Sequence, residues 1–235
     1  FADRFGVPRA SIEGTQLPID LIKQYAQRHP PELALDAERK HSPVLLRRRV
    51  TYFGFELSRE SEPLTAFPDD LAQPARHLLA EAAARGELRH VGVRRNQPIV
   101  EEIRETWRRL GGVTPRFGQG ELAAWYEGEM GDAREWEEIR AMSLRLDRRT
   151  FVSDAQLAEA RALPGYVEIR DRTVSLEYDV EEGAVGPVGV VRLRVPEKLA
   201  RSLVQEEVPS DSVCRTAWPA WFRACDRSAR VAAEA

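Results

Sequence analysis

The residues best suited to chemistry are arginines set beside aromatic rings. Arg47, Arg48 and Arg49 lead directly into Tyr52, Phe53 and Phe55; Arg94 and Arg95 sit together ahead of Asn96; Arg148 and Arg149 adjoin Phe151. Guanidinium groups hold phosphates through a planar fork of donors, and aromatic faces stack on bases, so this pairing fits single-stranded nucleic acid. The bland reading is that the rings face a core while the arginines solubilise strand ends. Alternation along a strand limits the choice, because Tyr52 and Phe53 cannot both face the same side. RNA-binding residues are therefore expected among Arg47, Arg48, Arg49, Tyr52, Phe53, Arg94 and Arg95.

Other chemistries find less support. A phosphate-cradling P-loop needs a Gly-x-x-x-x-Gly-Lys-Ser/Thr string, and none occurs. Arg116-Phe-Gly118-Gln-Gly120 lacks the lysine and the hydroxyl and reads as a turn into a helix. His29, His41, His77 and His90 are scattered, with no spacing that forms a metal helix, and Cys214 and Cys225 match no zinc or redox pattern. The acids Glu101, Glu102, Glu105, Glu135, Glu137 and Glu138 lie on helical stretches near Arg104, Arg108, Arg109 and Arg140, as solvated ion-pair faces do. No catalytic residue, metal site or cofactor is expected in this chain.

Bulk properties bound the class. The 235 residues are 43% hydrophobic with a net charge of −3, enough apolar material for one large core under a charged surface. Lysine appears only at Lys23, Lys40 and Lys198 among 35 basic residues, a bias that phosphate binding and a GC-rich coding sequence explain equally well. No apolar run reaches the roughly 20 residues a bilayer crossing needs. A cytoplasmic protein with two reduced structural thiols is expected. The opening on Phe1 rather than Met raises the expectation that the chain belongs to something longer.

Periodicity then supplies the elements that must carry these side chains. A short helix is expected from Thr15 to about Pro30, with Leu17, Leu21, Ile22 and Tyr25 on one face, followed by a polar stretch to Pro43. Residues 44–58 read as a strand or a bulged hairpin with Gly54 at the irregularity. Helices follow at Leu71 to Gly86, from about Asn96 with Pro98 in its first turn to Gly111, at Gln119 to Met130, and at Asp132 to about Leu146. The dipeptide at Arg94 and Arg95 falls in a loop. After Pro164, Tyr166 to Ile169, Val174 to Val180 and Val188 to Val195 alternate with the strand period. Pro196 opens a helix with Leu199, Leu203 and Val204, and Trp218, Trp221 and Phe222 form a late aromatic group. The fold class is α+β: an N-terminal helical segment over 1–43, a small β segment with a helix over 44–95, a helical cluster over 96–163, and a C-terminal hairpin or sheet with flanking helices over 164–235.

The order of these strings resembles the region that follows the motor domains in HrpA-type bacterial DEAH-box RNA helicases. The likeness rests on Arg47-Arg-Arg-Val-Thr-Tyr-Phe-Gly-Phe-Glu-Leu57, Ala75-Arg-His-Leu-Leu79, Val93-Arg-Arg-Asn-Gln97 with Ile99-Val-Glu-Glu-Ile103, and Glu121-Leu-Ala-Ala-Trp-Tyr126. It continues through Val174 to Gly183 and Val190 to Leu199, so it spans roughly residues 44 to 204, and the opening thirty residues fall outside it. The resemblance implies an OB-like unit over 44–95 and a non-catalytic accessory region that contacts single-stranded or ribosomal RNA. Motor domains, in cis or in trans, would be its partners and would supply the ATP chemistry; no motor residue has a counterpart here. A second class stays open, an adaptor docking a protein through its tryptophan-bearing helices, because interfaces favour tryptophan. Two or more tryptophans sharing an open apolar patch would mark it.

Overall fold

The computed structural model describes residues 18–39, 41–183 and 186–195. The expected cap at Thr15, the helix after Pro196, both cysteines and the aromatic group at Trp218 lie outside the described residues. What is described is a mixed α+β fold with two open antiparallel sheets flanking a helical layer.

The first sheet is built on one long strand. After the helix α1 (Ile19–Gln24) come β1 (Gln27–Arg28), β2 (Glu32–Leu35), β3 (Val44–Tyr52) and β4 (Phe55–Pro63). β4 pairs antiparallel along the whole of β3. β1 and β2 share the other edge of β3, with Arg28 opposite Val50 and Glu32 opposite Arg47. Between them lie Pro30 and Pro31, which have no N–H to give the ladder, so one strand is broken into two short ones. This corrects two expectations: β1 takes the end of the expected helix, and β2 lies in the expected polar stretch after it. The helix itself is shorter than expected and buries no side chain. The irregularity expected at Gly54 is in fact a two-residue turn, and the bulge sits at Leu57, where the register shifts between Val50 and Thr51.

The helical layer comprises α2 (Asp69–Ala84), α3 (Val91–Arg109), α4 (Gln119–Met130), α5 (Trp136–Ala141) and α6 (Asp154–Ala162). Its core joins Ala75, Leu79 and Ala82 of α2 to Ile103, Leu122, Tyr126, Met130 and Ile139, and it reaches the first sheet through Val44, Leu33 and Leu35. Gly86, at φ +75, ends α2 in the left-handed conformation that a Cβ disfavours. α6 starts with a capping box between Ser153 and Gln156.

Two helix expectations need correction. α3 begins at Val91 and carries Arg94, Arg95 and Asn96 within it, so the arginine pair is helical and not in a loop. α5 stops at Ala141, and residues 142–147 run as an irregular segment with Leu144 at φ +42, although Leu144 and Leu146 are fully buried. Asn96 explains both. Its Nδ2 donates to Leu144 O at 2.7 Å and to Tyr126 Oη at 3.1 Å, and its Oδ1 accepts from Leu146 N at 3.1 Å. A helix through 142–146 would use those backbone groups internally; the buried amide holds them in a non-helical segment instead. Gly92 allows this approach, since a Cβ there would lie 2.4 Å from Ser143 O.

The second sheet is a meander of β5 (Tyr166–Ile169), β6 (Arg172–Gly183) and β7 (Gly186–Arg194). It rests on the C-terminal end of α3. There Gly112, at φ +85, leaves room for Pro187 and Val180, and the Arg109 guanidinium lies 5.0 Å from the centroid of the Tyr178 ring. Arg109 also donates to Ala160 O and Leu163 O, tying α3 and α6 to the sheet.

Candidate nucleic-acid interface

The β3–β4 ribbon separates the expected site residues by strand alternation. Arg47 and Arg49 share one face with Thr51 and the β4 residues Arg59 and Ser61. Arg48 shares the other with Val50, Tyr52 and, from the neighbouring strands, Arg28, Ser58 and Phe55. The three consecutive arginines therefore serve two faces, and Tyr52 lies on the side of Arg48. Arg94 and Arg95 stand exposed on α3, and no hydrogen bond or ion pair links their side chains to the ribbon.

Pairing distinguishes these arginines further. Arg48 Nη1 lies 3.0 Å from Glu62 Oε2, and Arg59 is held by Glu56. Arg47 has no ion pair even though Glu32 is opposite it in register, and its Nε is buried without a hydrogen-bond partner among the described residues. Arg28, Arg49, Arg94 and Arg95 likewise make no side-chain ion pair or hydrogen bond among the described residues. Elsewhere the charges are mostly matched. Arg148 contacts Glu102 and Asp154, Arg149 contacts Asp154, and the adjoining Phe151 ring packs 4.3 Å from Phe117, so the third arginine-aromatic cluster is structural.

The ribbon ends in exposed rings. Phe53 and Gly54 form the turn with φ of +45 and +82, the primed geometry that matches strand twist. Such a turn favours Asn-Gly; a bulky aromatic at its first position carries a conformational cost. Phe53 is nevertheless 86% exposed and Phe55 76% exposed, while Tyr52 packs edge-on against Phe53 at 4.8 Å. Phe55, noted beside the arginines but not counted among the expected RNA-binding residues, and Arg28, which sequence reasoning missed, belong to this surface. Phe55 was legible as the cross-strand partner of Tyr52 in a two-residue hairpin; Arg28 was not, because its strand is interrupted by prolines.

The remaining candidates resolve as follows. Glu105 bonds Arg109 at 2.8 Å and Arg108 at 2.9 Å; burial opposes its ionisation, but those two guanidinium groups win and hold its carboxyl below the usual range. Glu101 shares Arg108 with Glu105, so both are ion-pair partners of one guanidinium, and Glu135 is exposed at the start of a different helix, α5. Gly118 precedes α4 as a helix-start turn. His77 bridges α2 and α4 through Glu127, and that hydrogen bond raises its pKa. His90 caps α3, accepting from Gly92 N at 3.0 Å through Nδ1, with Nε2 3.3 Å from Arg140 O; burial lowers its pKa. Trp136 is buried and Trp107 and Trp125 are half-buried, so these three form no open tryptophan face. No described helix is long and apolar enough to cross a membrane, and no described group of His, Cys, Asp or Glu side chains is placed to hold a metal. No family model, curated protein or solved structure matches the chain.

Proposed function

We propose that this chain is the non-catalytic accessory region of an ATP-dependent RNA helicase of the HrpA DEAH-box type, and that its β3–β4 ribbon binds single-stranded RNA. In this reading the first sheet serves as the OB-like unit. Bases stack on Phe53 and Phe55 at the tip, with Tyr52 behind them, and phosphates reach Arg47 and Arg49 on one face and Arg48 on the other. Arg94 and Arg95 offer a second pair of uncommitted charges on α3. The chemistry of translocation belongs to motor domains acting in cis or in trans, in the cytoplasm.

The observation that carries the reading is Phe53. Phe53 is an exposed aromatic in a left-handed turn whose ring contact is with Tyr52 and not with the core, and it stands at the end of a ribbon whose Arg47 and Arg49 make no ion pair among the described residues. A polar turn residue and matched charges would serve folding better, so these choices fit a ligand with both rings and phosphates. Fluorescence anisotropy with a labelled single-stranded oligoribonucleotide tests it. Binding is expected for the wild type and lost on replacing Phe53 and Phe55 by Ser; equal binding by the wild type and that variant overturns it.

A further inference from the structure

A second basic feature lies away from the ribbon. The loop after β2, the turn after α2 and the helix α5 meet around a cleft of about 200 Å³. It is lined by the apolar side chains of Pro43, Leu88 and Trp136 and by Arg39, Arg89 and Arg140. Arginine residues from three separate segments thus line one concavity. Like charges brought together repel, and each is offset by a carboxylate of its own: Asp36 for Arg39, Glu38 for Arg89 and Glu137 for Arg140. None of those acids lines the cleft.

Each pairing uses only part of the arginine fork. Asp36 takes Nε of Arg39, leaving both terminal nitrogens; Glu38 and Glu137 each take one terminal nitrogen of Arg89 and Arg140. The Arg89–Glu38 pair is solvent-exposed, with Glu38 81% accessible, so it contributes little and exchanges readily for a better acceptor. The cleft is smaller than the roughly 300–1,000 Å³ of a site for a drug-sized molecule, which favours a compact anion over a whole cofactor. Arginine forks with donors left over beside a small concavity match tetrahedral phosphate oxygens.

We infer that this cleft is a phosphate-binding site, with Arg39, Arg89 and Arg140 as its donors. The phosphate comes from the end of an RNA strand or from its backbone. This site is independent of the ribbon and stands or falls without it.

The test follows the arginine Nε–H signals of the full chain by NMR while inorganic pyrophosphate is added. Saturable shifts are expected for Arg39, Arg89 and Arg140, with affinity at least about tenfold weaker in R89A/R140A, since two charge-assisted contacts are lost. R47A/R49A should bind pyrophosphate as the wild type does, which separates this site from the ribbon. Should R89A/R140A lose its far-UV circular dichroism, R39A, altered in a surface loop, provides the same comparison. The same short oligoribonucleotide with a 5′-phosphate or a 5′-hydroxyl then identifies the source: a preference for the phosphorylated form assigns a strand end, and equal binding assigns the backbone. Absence of saturable shifts, or undiminished affinity in the arginine variants, overturns the site.

Discussion

Phe53 and Asn96 illustrate the two ways in which a single residue departs from what its neighbourhood favours. Phe53 occupies a turn position that suits Asn, and it is exposed. Phe53→Asn should therefore stabilise the protein by about 1 kcal/mol in urea unfolding, by relieving the left-handed strain. The same change should weaken single-stranded RNA binding by about 1–3 kcal/mol, the worth of one stacked base. Asn96 is the reverse case: a polar side chain only 1% exposed, satisfied by Tyr126, Leu144 and Leu146. Asn96→Ala leaves three buried groups unpaired and should lower the unfolding free energy by about 3 kcal/mol or more. The sequence marks Asn96 as the residue opening a helix, because Asn is a common N-cap and Pro98 follows it at first-turn spacing. Its actual role depends on a segment fifty residues away, which no local pattern reveals.

At the scale of elements, the start of α3 is the most constrained junction. His90, Gly92 and Asn96 fix the helix to the end of α5 and the irregular segment that follows it, from Arg140 to Leu146. His90 is buried as the neutral tautomer whose Nδ1 accepts from Gly92 N, and its pKa is lowered, so the unfolded chain binds the extra proton more readily. Its contribution is complete above the unfolded value of about 6.5 and is lost as the pH falls below it. His77, whose pKa is raised, contributes in the opposite sense, but it is exposed and screened. Net stability should thus decline between about pH 6.5 and pH 5 in denaturant titrations, and His90→Asn, which keeps a capping acceptor, should flatten that decline. Gly92→Ala should destabilise by about 1–3 kcal/mol despite Ala's better helix propensity, because the new Cβ meets the Ser143 carbonyl. Strongly periodic elements such as α2 and α4 were legible to within a residue or two. α5 was overextended because Met142 and Leu146 continue the helical spacing, and the competing partner of Leu144 and Leu146 is remote in sequence.

For the molecule as a whole, alternation and turn signals made the longer strands of the two sheets and the helices α2 to α5 readable, and the α+β class with them, while α6, whose only buried residue is Ala160, was not read. The short strands β1 and β2 were not readable, since two prolines break their pattern and their pairing is decided by β3. Of the expected interface, the strings placed Arg47 to Phe53 on a hairpin, but the division into two faces and the separate position of Arg94 and Arg95 needed the register. The core runs without interruption from Val44 through α2, α3 and α4 to Val152, and α3 crosses position 95/96, so the ribbon projects from a shared base. The most direct measurement is the affinity of the full chain for single-stranded RNA across a series of salt concentrations. The account predicts that log K falls linearly with log salt, by roughly 0.7 per phosphate contacted, and that replacing Arg47 and Arg49 by Ala lowers the slope by about one to two contacts. An affinity indifferent to salt, a slope unchanged in that variant, or no binding at all would contradict it.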